Sequence, residues 1–252
     1  MKIGIIGAGQ IGGALAKKLV KLGHEVTIAN SRGPATLADV AAKTGARAVE
    51  VAEAVKGAEL VVVTIPQKSV PLLPTGLFQE APASLVVLDT GNYYPSFRDG
   101  PIDAIEQGKT ESGWVADQIG RPVVKVFNNI MAHSLAEGGL PKGTPGRIAL
   151  PVAGDDARAK QVVLALVDAL GFDGVDAGTL ADSWHQEPGT PVYCTDLDAA
   201  GVHRALAKAN RARSSKLREE SIAQMHALPA GTPPQAIVAL VRALHETAGD
   251  AA

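Results

Sequence analysis

Lys2-Ile3-Gly4-Ile5-Ile6-Gly7-Ala8-Gly9-Gln10-Ile11-Gly12 decides how the rest of the chain is read. Ile3, Ile5 and Ile6 form a short β-branched run, the composition of a buried strand. Beyond the glycines, Ile11, Ala14, Leu15 and Leu19 recur at helical spacing through Leu22, and Gly23 stands where a helix C-cap would. A strand, a glycine-rich turn and an amphipathic helix in that order form the first unit of an α/β sheet.

Outward from that unit the alternation continues. Glu25 to Ala29 reads as a second strand, and Leu37, Val40 and Ala41 mark a helix that ends near Gly45. Leu60 to Ile65 is apolar until Pro66, Leu85 to Leu88 until Asp89-Thr90-Gly91-Asn92, and Val123 to Phe127 is a third such run. Runs of this kind suit strands covered on both faces. The expected architecture is α/β: a Rossmann-type, doubly wound, mostly parallel sheet with a small C-terminal α/β extension and a helical tail. In the extension, Arg147 to Val152 and Phe172 to Asp176 read as strands on the same sheet, around a helix from Ala157 to Leu170 capped by Asp155-Asp156. The tail reads as one helix from Arg204 to Met225, a linker Leu228 to Pro233, a second helix from Pro234 to Thr247, and a frayed end from Gly249 to Ala252. The expected divisions are 1–145, 146–200 and 201–252.

Composition narrows the function classes. With 252 residues, 46% hydrophobic and 20% charged, the chain is an ordinary globular protein of one or two domains. Lys+Arg at 24 against Asp+Glu at 26 gives −2, with no cationic excess to hold nucleic acid. A single cysteine, Cys194, makes no intramolecular disulfide and no cysteine-based zinc site. The N-terminal stretch lacks the pattern of a signal peptide, and no apolar window approaches the ~18 residues of a spanning helix, so a soluble, cytoplasmic protein without a membrane partner is expected.

Gly7-x-Gly9-x-x-Gly12 between a strand and a helix is the fingerprint of a dinucleotide site. Gly7 allows the tight turn, Gly9 lets the backbone approach a pyrophosphate, and Gly12 lets the helix pack against the strand. Gln10 and Ile11 open that helix, whose free N–H groups face the anion. A site for NAD places a carboxylate at the end of the second strand. Here Asn30-Ser31-Arg32 stands instead: no acid to repel a 2′-phosphate, a hydroxyl, and a guanidinium fork suited to phosphate oxygens. NADP(H) is the expected cofactor. Thr64-Ile65-Pro66, Asp89 to Asn92 and Asn128 to His133 end later strands and should converge on one mouth of the sheet.

Taken together, Gly7-x-Gly9-x-x-Gly12, Asn30-Ser31-Arg32, Thr64-Ile65-Pro66, Val124 to Asn128, Gly154-Asp155-Asp156 and Asp176-Ala177-Gly178 resemble the NADPH-dependent coenzyme F420 reductase family over residues 1–195. The chain is similar also to the reductase domain of the STEAP metalloreductases. The resemblance implies an NADPH domain, often homodimeric, with Ser31 and Arg32 on the 2′-phosphate and Ile65 and Pro66 bordering the cofactor. It places the Ala132 backbone on the nicotinamide carboxamide, and a deazaflavin over the nicotinamide near Asn128, Ile130 and His133.

Hydride transfer between a nicotinamide and coenzyme F420 or a flavin, as co-substrate, needs orientation more than acid–base groups. His133 and Asn128 are the candidate catalytic residues, with Asn92 beside the cofactor. Two other readings share the pattern: a reductase of imines or small carbonyl compounds, and a non-enzymatic NADPH-binding redox sensor. Trp184 reads either as a stacking wall or as core, and Cys194 as packing. Arg204, Lys208, Arg211, Arg213, Lys216 and Arg218 form a basic run, with 204, 208 and 211 on one helical face, either solvated, flanking a dimer or holding an anionic substrate tail.

Overall fold

A computed structural model describes residues 1–249; residues 250–252, where part of the frayed end was expected, lie outside the described residues. Eight strands and ten α-helices alternate as β1 Lys2–Ile6, α1 Gln10–Lys21, β2 Glu25–Ala29, α2 Ala38–Thr44, β3 Arg47–Ala48, α3 Val51–Val55, β4 Leu60–Val63, β5 Val86–Asp89, α4 Asp103–Glu106, α5 Glu111–Ile119, β6 Val124–Lys125, α6 Ala132–Glu137, β7 Ala149–Val152, α7 Ala157–Ala169, β8 Asp173–Asp176, α8 Ala199–Lys208, α9 Arg211–Ala227 and α10 Pro234–Gly249. The first six strands make one sheet in the order β3-β2-β1-β4-β5-β6, parallel throughout. The order reverses between β1 and β4, so their carboxyl ends open a crevice.

Alternation along each strand feeds two cores. Ile3, Ile5, Ile28, Val62 and Leu88 pack with Leu15 and Leu19 of α1 on one face. Ile6, Val61, Val63 and Val87 pack with Trp114 and Val115 of α5 on the other. Gly4 is smooth on that second face for a reason: a Cβ there would lie 1.8 Å from the Ala54 carbonyl oxygen, so only glycine lets α3 sit this close.

Two expectations are corrected. The extension does not continue the main sheet: β7 and β8 pair as a separate two-stranded parallel sheet. The main ladder stops because β6 is two residues long and Phe127 turns away at φ +61°. One antiparallel bridge joins the sheets, with the Lys125 N–H donating to the Ala153 oxygen (2.8 Å) and the Ala153 N–H to the Lys125 oxygen (3.1 Å). The apolar core nevertheless runs on through Leu150, Val152, Val163 and Phe172. The tail helix from Arg204 is also not continuous. Ala209 and Asn210 adopt extended backbone between α8 and α9. The break sends α9 back across the body, where Arg211 lies over the Trp184 ring and the Ser214 carbonyl meets Gly189. Residues 204, 208 and 211 therefore do not share a face of one helix. Among the described residues no helix is long and apolar enough to cross a membrane.

Lys125 is fully buried among acids. Its ammonium lies 3.3 Å from Glu111 Oε2 and 3.9 Å from Asp89 Oδ2, and donates to the Gly91 oxygen at 3.1 Å. Burial alone would pull Lys125 down, but Glu111, Asp89 and Glu187 outweigh it and hold the ammonium above its ordinary range. Burial pushes the Glu111 carboxyl up to about 8, with repulsion from Glu187 adding to it and Lys125 opposing. An acid whose folded pKa exceeds its unfolded one binds more protons when folded, so its contribution to stability is present below about 4.5 and is lost as pH rises through about 8. Urea midpoints at pH 5, 6.5 and 8 should fall with pH in the parent chain, and Glu111→Gln should flatten that slope. An unchanged slope in the variant would place the titration elsewhere.

Candidate functional site

The glycine loop is built by contacts that leave no room for side chains. Gly7 sits at φ +119°, its N–H donates to the Ala29 oxygen at 2.8 Å, and a Cβ on it would lie 2.1 Å from the Thr64 oxygen. One residue thus ties the ends of β1, β2 and β4. A Cβ on Gly12 would lie 2.0 Å from the Gly7 oxygen, so Gly12 lets α1 rest on the turn. Gly9 differs: it is the N-cap of α1 and a Cβ on it would meet nothing within 4 Å. That space is in front of the helix N-terminus. α1 has no acid in its first turn, and Lys18 and Lys21 stand in its last, so its positive end is left for an outside anion.

A cavity of about 750 Å³ opens from that point. It is lined by Gly7, Ala8 and Gly9, by Asn30, Ser31, Arg32 and Thr36, by Thr64, Ile65, Pro66 and Ser69, and by Leu72 to Pro74. Gln10, Ile11 and Gly12 lie just behind it in α1; Ile11 packs against the core. Asn30 shapes the turn. Its Oδ1 accepts from the Arg32 N–H at 2.9 Å and its Nδ2 donates to Thr36 Oγ1 at 2.9 Å. Ser31 and Arg32 are exposed, and the Arg32 guanidinium has no hydrogen-bond or ion-pair partner among the described residues. The end of β2 carries no carboxylate, but Glu50, from the neighbouring strand end, lines the same space.

Further along the same carboxyl edge of the sheet, the loops after β5 and β6 are tied together by amides. Asn92 Nδ2 donates to the Asn128 oxygen (3.0 Å), and Asn128 Nδ2 donates to Asn92 Oδ1 (3.1 Å) and to the Gln186 oxygen (2.7 Å). Gln186 Nε2 returns a bond to Asn128 Oδ1 at 2.9 Å. Asn128 is buried with every amide atom engaged, so it holds three loops together and has no free group to offer a substrate. Ala132 opens α6, which packs on α1 and has no side-chain cap from Met131. His133 is exposed and lines a second cavity of about 640 Å³ with Asp196, Val238 and Arg242; that cavity shares no lining residue with the first. Trp184 stacks on His185 at 3.8 Å beneath Arg211. Burial pushes the Cys194 thiol up to about 12, which suits packing.

Sequence reading missed Glu50, Gln186 and Gln67. Gln67 follows Pro66, is fully buried beside Gly91, and has neither amide atom partnered. Only its place in the strand-end loop could have signalled it.

Residues 2–93 match the family model described as "NADP oxidoreductase coenzyme F420-dependent". Hypothetical protein SMa0349 of Sinorhizobium meliloti has a solved structure that is 33% identical, covering 78% of this chain and 95% of that one with a TM-score of 0.65. The chain belongs to the F420-dependent NADP oxidoreductase family. A structure from Arthrobacter sp. FB24, whose name proposes an F420-dependent NADP reductase, is 28% identical over 73% of this chain and 87% of that one, with a TM-score of 0.62. Protein YjhV of Escherichia coli (strain K12) is 49% identical over 77 residues, 30% of this chain; the match spans about half, 56%, of YjhV. The family match covers the segment that builds the glycine loop, the Asn30–Arg32 turn and Pro66.

Gly9 and Gly12 are separable by substitution. A side chain at Gly9 meets only open space, so Gly9→Val should leave thermal stability near that of the parent and abolish NADPH binding. Gly12→Val drives a side chain into the Gly7 carbonyl and should cost a few kcal/mol of stability, in the range of overpacked cores. Thermal melts with NADPH fluorescence titrations check both; retained NADPH binding by Gly9→Val would remove the pyrophosphate from this loop.

Proposed function

We propose that this chain is an NADP(H)-dependent oxidoreductase that passes a hydride between NADP(H) and a deazaflavin, coenzyme F420, or a flavin-like ring. The observation that carries the reading is that a partnerless Arg32 guanidinium opens onto the same cavity as the vacant space at Gly9. Phosphate chemistry fits both ends of that cavity: backbone N–H groups and a helix dipole at one, a cationic fork with the Ser31 hydroxyl at the other. The residues present therefore suit NADP(H).

In this reading Gly7, Gly9 and the first turn of α1 hold the pyrophosphate, and Ser31 and Arg32 hold the 2′-phosphate. Thr64, Ile65 and Pro66 edge the nicotinamide half, with the Ala132 N–H on its carboxamide. The nicotinamide, when bound, supplies or accepts the hydride. The protein's work is orientation and water exclusion. That requirement is met without a free acid–base pair, and it agrees with an Asn92–Asn128–Gln186 network of amides, in which the Asn128 side chain is fully engaged and Gln186 Oε1 alone is left without a partner. The family description and the name of the Arthrobacter relative favour the deazaflavin as acceptor.

Arg32→Ala should weaken NADPH about 10- to 100-fold, the worth of a charge-assisted phosphate contact, and change NADH by less than about two-fold. Equal losses for both would take Arg32 off the 2′-phosphate. Turnover with NADPH and a panel of coenzyme F420, FMN, FAD and cyclic imines tests the acceptor. Saturable reduction of coenzyme F420 is expected. Turnover of imines alone would move the chain to the imine reductases, and no turnover with any acceptor would leave a binding module.

A further inference from the structure

The end of β2 lacks the discriminating acid of an NAD site. The fold supplies one from the next strand. β3 pairs parallel with β2, Thr27 opposite Arg47 and Ile28 opposite Ala48, and the Val49 N–H continues to the Ile28 oxygen at 3.0 Å. Two residues on, Glu50 stands level with Asn30. It is exposed, it is the N-cap residue of α3 but makes no side-chain cap bond, and its side chain reaches the turn after β2: a Cβ on Gly33 would lie 3.5 Å from Glu50 Oε1.

Of the residues lining the cavity, Arg32 and Glu50 are the two that carry charge. They have opposite signs, yet they form no salt bridge, and neither side chain has another hydrogen-bond or ion-pair partner among the described residues, although the Arg32 N–H donates to Asn30 and the Glu50 carbonyl accepts from Ala54. Two unpaired charges facing one cavity exert opposite forces on whatever enters. A 2′-phosphate gains from Arg32 and loses to Glu50. A 2′-hydroxyl has no charge to be repelled and can donate to the carboxylate, as it would to an acid at the end of β2.

We propose that Glu50 is a specificity-determining residue that weakens the hold on a 2′-phosphate and supports an unphosphorylated ribose, so that the site accepts both NADPH and NADH. The inference rests on the dinucleotide reading given above. Its size follows from exposure: one unit charge against another at ~4 Å in water changes an equilibrium about five-fold, and added salt diminishes it.

The test is the pair of dissociation constants for NADPH and NADH, measured by nicotinamide fluorescence at low and high salt, for the parent chain, Glu50→Gln and Glu50→Ala. In both variants NADPH should tighten about three- to ten-fold at low salt while NADH stays level or weakens, and the gain should shrink in high salt. Retained NADH binding shows that the variants are folded. An NADPH-to-NADH ratio unchanged in both variants, with Arg32→Ala still costing NADPH selectively, overturns this inference and leaves the dinucleotide reading standing. A parent chain that binds neither nucleotide overturns both.

Discussion

Lys125 fixes how the two sheets meet. Among the described residues its backbone makes the one β-bridge between the six-stranded and the two-stranded sheet, and its ammonium gathers Asp89 from β5, Glu111 from α5 and the Gly91 carbonyl. A buried ion cluster of this kind need not add net stability, because desolvation consumes much of the attraction. Its effect is on geometry. Removing one partner would strand the others in a dry interior, so the ends of β5 and β6 and the start of α5 are fixed relative to one another. Asp89 carries the constraint onward, with Oδ1 accepting from Gly91 at 2.8 Å and Oδ2 from Ser112 at 2.6 Å. The strand-end loop that follows, Gly91 to Tyr93, therefore leaves the sheet in one direction.

What was legible in the sequence was the part that the backbone builds. Gly7 makes the tight turn and Gly12 lets the helix rest on it, as their spacing implies, because a side chain would meet the Thr64 carbonyl at Gly7 and the Gly7 carbonyl at Gly12, while Gly9 faces open space. Strand β4 was readable because it is buried along its whole length and apolar throughout, and β1, β2 and β5 because the residues between their polar ends are mostly buried and apolar. The turn Asn30-Ser31-Arg32 was readable because it sits at a fixed distance from the glycine loop.

What was illegible depends on partners distant in sequence. Lys125 inside an apolar run looks like an edge residue until Asp89 and Glu111 are brought to it. Glu50 looks like a surface charge until β3 pairs with β2. The basic run after residue 203 looks like one helical face until Ala209 and Asn210 break it. Arg211 then covers Trp184 and Arg218 covers Tyr93, so these charges are used in packing the tail onto the body. His133, second residue of α6, lines the cavity shared with Val238 and Arg242 of α10, a neighbourhood that only the folded tail brings to it.

The glycine-loop cavity and the loops after β5 and β6 are built on different principles. The cavity uses main chain and a few side chains from residues 7 to 66, inside the segment matched by the family model. The loops depend on Gln186, outside that segment, whose side chain and carbonyl both engage Asn128. Gln186 is in turn held by its neighbours: the Glu187 carboxylate accepts from the Glu111 N–H at 2.7 Å, and Gly189, at φ +85°, would put a Cβ 2.0 Å from the Ser214 carbonyl of α9. The tail thus reaches the amide network through one short loop that has almost no freedom to move by itself. Replacing α9 or shifting its register would displace Gln186, and with it Asn128 and Asn92, without touching the glycine loop. The glycine-loop cavity and the amide network at Asn128 are built from separate stretches of the chain, and a change in the second can leave the first intact.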